Sequence, residues 1–584
     1  MVVYELKRQS FFKGSVILMC MVLITKLLGL MYKIPLTRIL GGTGMGYFSS
    51  AYSVFTPVFA IIVSGIPSTM AKLSAENYAL GRYANLRKLR CIAYLIFGLI
   101  GLAATAFIII FSGCLSRYIM HESNSKYALM CVAPSIVFCI VMSVERGYYE
   151  GLQNMFPTAF SEIIETLFKL ILGLGFAMVV KNYAEKQYYT DGICFGEPCM
   201  TLENCVSISL PYITAAAILG ASLASGVACI YIIISTRLHG DGITKLMLEN
   251  DRITDKFSDT TCILLKLAMP IALISVITTL TNMIDMLTIN PCISKAIISN
   301  DKYFLKFLSD TVTRKNLPNF IYGSYTGLAV TVFGLVPTIT AMLGKSVLPS
   351  LVESWTKGRN EDVCTNLTKM LTITSYIAIP SGIGLSVLSK QILELLFGLK
   401  TSEIEIAAMP LKILGIGVIF MSISLPCFTV LQTMGNSKKN IVIMLIGGII
   451  KLILNVILIP IPYIGINGAA IATTVSNIFI CIMSVCSIYD LINCKCNFVE
   501  LYIKPLYSGI MCGLTAHLVY NIIENNNLLM IDFRISVIIS IFIGGIIYFF
   551  SLYLLCETPK KLVNYVFSKK NQKTPWNFFH FELL

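Results

Sequence analysis

Long apolar stretches separated by short polar segments dominate the chain. An α-helix needs about 20 apolar residues to cross the hydrocarbon core of a bilayer, and these stretches have that length rather than the ~10-residue alternation of a barrel strand. We therefore predict an all-α polytopic membrane protein with about fourteen transmembrane helices. The predicted spans are residues 13–34, 46–66, 91–113, 128–149, 158–180, 211–235, 262–287, 323–344, 367–390, 407–431, 440–460, 465–489, 504–523 and 535–556.

One polar-then-apolar pattern occurs twice. Residues 152–155 read Leu-Gln-Asn-Met and precede Lys-Leu-Ile-Leu at 169–172, while Leu-Gln-Thr-Met at 431–434 precedes Lys-Leu-Ile-Leu at 451–454. A weaker echo relates Glu76, Gly81 and Arg82 to Glu353, Gly358 and Arg359. Internal repeats of hydrophobic helices are typical of transporters built from two related halves.

The repeat predicts two pseudo-symmetric six-helix lobes, parallel in topology and related by an axis along the membrane normal. The predicted domains are an N-terminal lobe at 1–260, a C-terminal lobe at 261–490, and two additional helices with a basic cytoplasmic tail at 491–584. Residues 288–322 are predicted to be a long outer loop inserted in the second lobe.

Composition agrees with a membrane protein and changes the interpretation of the charge. Hydrophobic residues make up 56% of the chain, charged residues 13%, and the net charge is +14. Soluble domains average about 25% charged residues. Basic residues concentrate on alternate connecting segments, so the positive-inside rule predicts that both termini are cytoplasmic and explains the net charge without nucleic-acid binding.

The cysteines give no clear metal site. There are 19, and those inside apolar spans are expected to behave as small hydrophobes. Cys194, Cys199, Cys205 and Cys292 lie on predicted outer segments, where they could form disulfides or remain free thiols. Cys494 and Cys496 have no histidine nearby, so no metal ligands are predicted.

Ionisable residues within the predicted spans are the candidate functional residues, because such groups are costly in lipid and usually face a cavity or a partner. Central lysines indicate a positive lumen and an anionic substrate. We predict that the substrate contacts Lys26, Lys33, Arg38, Lys169, Lys451 and Asn455. Candidate charge partners or ion-coupling residues are Glu162, Glu165, Asp285 and Asn282, and candidate gating or loop residues are Arg146, Gln153 and Gln432.

Structural roles remain open for several of these residues. Glu165 and Lys169 are four residues apart and could neutralise each other on one helix. Lys33 and Arg38 could extend to the outer headgroups. Lys26 and Lys451 have no acidic residue within one turn of their own helices, so local neutralisation does not explain either of them.

No enzymatic motif is complete. Gly344-Lys345-Ser346 resembles the end of a phosphate-binding loop, but the upstream glycine is missing, and the four histidines are scattered. We predict no enzymatic activity, metal or cofactor. Transport would depend on Na⁺, on H⁺ or on the membrane potential.

Two blocks carry a family resemblance. Residues 25–29 read Thr-Lys-Leu-Leu-Gly with Ile34-Pro35, and residues 146–155 read Arg-Gly-Tyr-Tyr-Glu-Gly-Leu-Gln-Asn-Met with Pro-Thr-Ala at 157–159. With further matches at 267–271, 322–327, 451–455 and 465–470, the chain resembles the stage V sporulation protein B and polysaccharide biosynthesis family. That family belongs to the multidrug/oligosaccharidyl-lipid/polysaccharide (MOP) exporter superfamily and is related to MurJ-type lipid II flippases.

The resemblance implies a V-shaped bundle and alternating access that carries an undecaprenyl-diphosphate-linked oligosaccharide from the inner to the outer leaflet, such as a peptidoglycan or spore-cortex precursor. Relatives have an arginine where this chain has Lys26, which keeps the charge but loses the bidentate fork. The implied location is the bacterial plasma membrane, including the forespore membrane, with cell-wall synthesis proteins as partners. The alternatives are a cation-coupled drug antiporter of the same superfamily and a non-transporting scaffold.

Overall fold

The computed structural model describes residues 11–244, 247–248, 255–299, 304, 307–308, 312–398, 401–492, 498–525 and 532–555. Helices account for most of these residues, as the apolar stretches predict. In chain order the helices are α1 Phe11–Val63, α2 Ile66–Ala79, α3 Tyr83–Cys114, α4 Lys126–Val132, α5 Ser135–Gly151, α6 Phe156–Asp191, α7 Leu202–His239, α8 Phe257–Ser299, α9 Leu317–Ser324, α10 Val330–Phe333, α11 Leu335–Thr356, α12 Asn360–Val387, α13 Ser389–Phe397, α14 Thr401–Thr433, α15 Ser437–Leu458, α16 Asn467–Ile492, α17 Lys504–Asn525 and α18 Phe533–Leu555. One short antiparallel hairpin joins α6 to α7, with strands β1 Ile193–Cys194 and β2 Glu197–Pro198.

Thirteen helical segments within the described ranges are long and apolar enough to cross a membrane. The predicted spans 13–34 and 46–66 both belong to α1, which is broken at Gly41 (φ 59°, ψ −171°). This left-handed conformation is accessible to glycine without steric penalty. The two arms of α1 account for the difference between thirteen segments and the predicted fourteen spans.

The predicted outer loop at 288–322 is wrong over much of its length. Helix α8 continues to Ser299, and α9 begins at Leu317. The extension is helical because Ile289, Ile293 and Ala296 continue an apolar stripe at i, i+4 and i+7 and are fully buried. Lys295, a basic residue of the predicted loop, therefore lies on a helix.

Helices close in sequence form most of the packing. Helix α6 lies along α7, α2 packs on α5, and α14 contacts α11, α12 and α16. Helices α17 and α18 pair with each other, and α17 leans on α12. These contacts agree with a helical bundle followed by two additional helices, while the domain boundaries and the symmetry axis stay predictions.

The two halves of the chain meet closely beyond the Gly41 break. A side chain at Gly323 on α9 would overlap the backbone of Gly42 and Gly46 on α1. Asn319 Nδ2 donates to the carbonyl oxygen of Thr43 at 3.0 Å. This contact joins the two halves at the end of the bundle that is predicted to face outward.

Candidate functional site

Lys169 lies between the two arms of α1. Its ammonium nitrogen is 5.4 Å from the ring centre of Tyr32 on the first arm and 5.7 Å from that of Tyr52 on the second. The Tyr32 ring packs against α6 at Gly173, one turn after Lys169, where a Cβ would come within 2.7 Å of the ring. A small residue at 173 thus lets an aromatic ring reach the lysine, and ammonium–ring attraction holds the group in place.

The environment of Lys169 is positive. Lys33 is half-buried, and its ammonium group is close enough to that of Lys169 for the two charges to repel each other. No carboxylate in the described ranges pairs with either lysine. The buried hydroxyl of Tyr32 also has no hydrogen-bond partner among the described residues. This corner of the N-terminal half therefore holds fixed positive charge and a free polar group, and an anion would complement both.

Lys26 lies on the same face of α1 as Lys33, two turns earlier, and is exposed. The exposed apolar side chains of Leu23, Leu27 and Met31 form a separate stripe, centred roughly 100° around the helix from Lys26. Lys26 therefore flanks the apolar face that would contact lipid. No ion pair involves its ammonium group within the described residues.

Arg146, not Lys169, neutralises Glu162 and Glu165 on α6. Its guanidinium nitrogen Nη2 is 3.1 Å from Glu165 Oε2, and Nη1 is 4.0 Å from Glu162 Oε1. Ser225 Oγ donates to the second oxygen of Glu165 at 2.9 Å, and Arg146 Nε donates to Ser161 Oγ at 2.8 Å. The suggested Glu165–Lys169 neutralisation does not form, because Glu165 binds α5 and α7 instead.

Lys451 has a carboxylate partner on another helix. Its ammonium nitrogen is 2.8 Å from Asp285 Oδ2, and the two side chains are only 7% and 14% exposed. Asn455 Nδ2 donates to Asp285 Oδ1 at 3.1 Å and to Thr288 Oγ1 at 2.9 Å. Lys451 is therefore isolated only within its own helix. The side chain of Asn282 lies outside the described residues.

The other predicted site residues lie apart from both lysines. Arg38 Nε and Nη2 donate to the carbonyl oxygens of Phe397 and Leu396 at 3.0 and 2.8 Å. These carbonyls close helix α13, so the arginine caps a helix C-terminus and joins the two halves. Gln153 (φ 60°) forms the tight turn before α6, and the side chains of Gln153 and Gln432 are exposed.

Comparison with known proteins agrees with this fold. A sequence model described as "Polysaccharide biosynthesis protein" matches residues 11–189, and one described as "Lipid II flippase MurJ" matches residues 322–555. Stage V sporulation protein B of Bacillus subtilis (strain 168) is 21% identical over 87% of this chain and 89% of its own length. Lipid II flippase MurJ of the same organism is 25% identical over 80% of each. The first part of the chain is thus similar to one family model and the last part to the other, and both relatives are similar to the chain over most of its length.

Solved structures of MOP proteins share the architecture. Lipid II flippase MurJ in an inward closed conformation superposes with a TM-score of 0.62 at 16% identity, over 94% of this chain and all of that one. An inward-facing multidrug resistance MATE transporter of the MOP superfamily gives 0.59 at 12% identity, over 82% of this chain and 98% of that one. MurJ is named a flippase and the MATE protein a transporter, in agreement with the prediction of a transporter rather than an enzyme.

Sequence reasoning missed the aromatic side chains beside Lys169. Tyr32 immediately precedes Lys33, and Gly173 follows Lys169 by one turn, but both belong to ordinary apolar patterns. Tyr52 lies on the second arm of α1, and only the break at Gly41 brings it near Tyr32. Two further lysines within candidate spans, Lys266 and Lys412, are exposed and were also missed.

Proposed function

We propose that this chain is a flippase that moves an undecaprenyl-diphosphate-linked oligosaccharide of the peptidoglycan or spore-cortex precursor type from the inner to the outer leaflet by alternating access. One observation carries the proposal. Lys26, Lys33 and Lys169 have no carboxylate partner in the described ranges, whereas Glu165 and Asp285 are already paired with Arg146 and Lys451. The group left free to bind a ligand is cationic.

The arrangement suits a diphosphate physically. The headgroup must cross about 30 Å of hydrocarbon, and fixed ammonium groups replace part of the hydration that it loses. Charge-assisted contacts are stronger in a low-dielectric setting than in water. Helices α17 and α18 lie outside the repeat and offer a surface for the polyprenyl chain.

The antiporter alternative needs an available carboxylate as its central binding group. Glu162 and Glu165 both face Arg146, and Asp285 accepts from Lys451 and Asn455. A cationic drug would have to displace an internal cation at each of these carboxylates, which disfavours the alternative. A scaffold would not need lysines that lie within the spans and lack carboxylate partners. These lysines therefore do not support the scaffold alternative.

The same pairing bears on energy coupling. A coupling Na⁺ or H⁺ would need one of these carboxylates, so we propose that the membrane potential drives transport. The protein would act in the plasma membrane, with both termini in the cytoplasm and cell-wall synthesis proteins as partners at the outer face.

Flipping of defined lipid-linked sugars in proteoliposomes tests the proposal. Lys26→Ala is expected to abolish flipping, Lys26→Arg to retain it because it restores the family residue, and Lys26→Glu to be more damaging than alanine because it repels the anion. Lys390→Ala, at an exposed surface pair with Glu394, serves as the control. Normal flipping by Lys26→Ala at unchanged protein levels would remove the main support for an anion-binding lumen.

A further inference from the structure

Three cysteines converge at the hairpin between α6 and α7. Cys194 lies on β1, Cys199 follows β2, and Cys205 lies in the first turns of α7. Their sulfur atoms are all within 4.8 Å of one another, and all three residues are buried. A strand, a loop and a helix thus each contribute one sulfur atom to the same small region.

Apolar side chains surround this cysteine cluster. Tyr188, Phe195 and Ile208 pack around it as partly buried apolar side chains. Each thiol donates to a backbone carbonyl oxygen, those of Cys205, Glu197 and Ala184, at 3.4–3.6 Å. No neighbouring side-chain carboxylate or ammonium group competes for the sulfur atoms in these contacts.

The backbone conformation of the hairpin turn brings the three cysteines together. Gly192, Phe195 and Gly196 all adopt positive φ, at 67°, 50° and 89°. A bulky residue such as phenylalanine is uncommon in this region. Its ring stacks on Tyr212 of α7, with ring centres 4.5 Å apart, and this contact fixes the loop so that Cys194 and Cys199 face Cys205.

We propose that Cys194, Cys199 and Cys205 form a binding site for a thiophilic divalent cation of the Zn²⁺ class. Zinc–sulfur bonds are about 2.3 Å long, which places tetrahedrally arranged sulfur atoms about 3.8 Å apart. The cluster reaches that geometry by contracting about 1 Å. Binding replaces three S–H bonds with three metal–sulfur bonds and releases three protons, and water completes the fourth position.

The position of Cys205 supports this charge balance. Three thiolates and one divalent cation leave one net negative charge, and Cys205 lies near the N-terminus of α7, where the helix dipole stabilises negative charge. Bound metal would tie the hairpin that follows α6 to the first turns of α7. Helices α6 and α7 have the most extensive mutual contact in the described chain.

Two other states of the cluster must be distinguished from metal binding. Cysteines inside the bundle, such as Cys229 and Cys427, lie among apolar side chains and behave as small hydrophobes. A disulfide would consume two thiols of the cluster and leave one over. A metal site engages all three at once, and that stoichiometry is the measurable difference.

The test uses the full chain purified in detergent with a non-thiol reductant. Titration with Cd²⁺ should develop thiolate-to-metal charge-transfer absorption that saturates at about one ion per chain, and excess Zn²⁺ should remove it. Cys199→Ser and the triple serine variant should lose the band. The control Cys229→Ser replaces a buried cysteine outside the cluster and should keep both the absorption band and the stoichiometry.

Thermal unfolding of the unmodified chain with and without Zn²⁺ is a second test that does not depend on whether variants fold. We expect Zn²⁺ to stabilise the chain.

Several results would overturn the site. One is an absence of the band in the unmodified chain, and another is a band that persists in the triple variant. A third is mass spectrometry of protein alkylated directly from cells that shows two of the three cysteines joined in every molecule. Unfolding that does not respond to Zn²⁺ would also contradict it. None of these outcomes depends on whether the protein flips a lipid.

Discussion

Lys169 and Lys451 occupy equivalent places in the sequence repeat but opposite electrostatic environments. Lys169 on α6 faces two tyrosine rings and another lysine, with no carboxylate partner in the described ranges. Lys451 on α15 is held 2.8 Å from Asp285 on α8. One half of the bundle therefore keeps an available cation, and the other contains an internally neutral pair.

The difference shows that a lysine at equivalent positions of a sequence repeat can have different neighbours. A single lysine changes role when the neighbouring helix supplies a carboxylate. Paired buried charges hold helices in register, and removing one partner leaves an uncompensated charge. Charges without such a partner are available to a ligand, so our proposal places binding in the N-terminal half and cohesion in the C-terminal half.

The largest expected effect comes from breaking the C-terminal pair. Lys451→Met leaves Asp285 buried without its cation and should lower the free energy of unfolding by about 3–5 kcal/mol. Adding Asp285→Asn should restore more than half of that loss, because an amide needs no counter-charge. Unfolding in mixed micelles measures the free energy of unfolding of the single and the double variant. Lys390→Met, at an exposed pair, should change it by less than about 1 kcal/mol. Equal stabilities for the single and double variants would contradict a cohesive pair.

Removing the N-terminal cation should affect transport rather than stability. Lys169→Ala should slow flipping about ten- to a hundredfold, the value of one charge-assisted contact of about 1.5–3 kcal/mol. Lys169→Arg should retain most activity. Lys412→Ala, an exposed lysine within the span 402–432, should behave like the unmodified chain in the proteoliposome assay. If Lys169→Ala and Lys412→Ala were equally active, the two halves would not differ as proposed.

A smaller effect is expected from the aromatic wall of the site. Tyr32→Leu removes one ammonium–ring contact of about 1 kcal/mol and should slow flipping about fivefold. Tyr32→Phe keeps the ring and should stay within about twofold, unless the buried hydroxyl itself contacts the substrate. The same flipping assay ranks the variants. Greater damage from Tyr32→Phe than from Tyr32→Leu would show that the ring is not the important feature.

The smallest effect on the flipping rate is expected when the cation in the buffer is exchanged. Because Asp285 is already paired with Lys451, replacing Na⁺ by K⁺ on both sides of the membrane should leave the flipping rate unchanged. Collapsing the membrane potential with an ionophore should slow it at constant ion composition. A rate that depended on Na⁺ at fixed potential would mean that the C-terminal pair opens during transport.

The helical fold was predictable because each span is a long apolar run, and span length is set by membrane thickness. The ends of the helices were less predictable from the sequence. The loop predicted at 288–322 failed because residues after Leu287 keep an apolar stripe that packs against protein instead of crossing lipid. Membrane-span criteria do not distinguish these two kinds of burial.

The charged residues within the spans were evident from the sequence, but their pairings were not. Lys169, Asp285 and Lys451 stand out as charges within apolar segments. Their partners lie on other helices: 166 residues separate Asp285 from Lys451, and Arg146 takes the carboxylate assigned by helical spacing to Lys169. Cys194, Cys199 and Cys205 were predicted only as possible disulfides or free thiols on outer segments, because their spacing matches no histidine-containing metal motif.

The break at Gly41 has a mechanical consequence. Tyr32 and Tyr52 lie roughly 14 Å and 17 Å from it along the two arms of α1, with Lys169 between them. A 10° change in the angle between the arms therefore moves one ring relative to the other by roughly 2.5–3 Å, about the length of a hydrogen bond. Helix α1 is thus a lever with its fulcrum at a single glycine, and bending it resizes the space around the lysine.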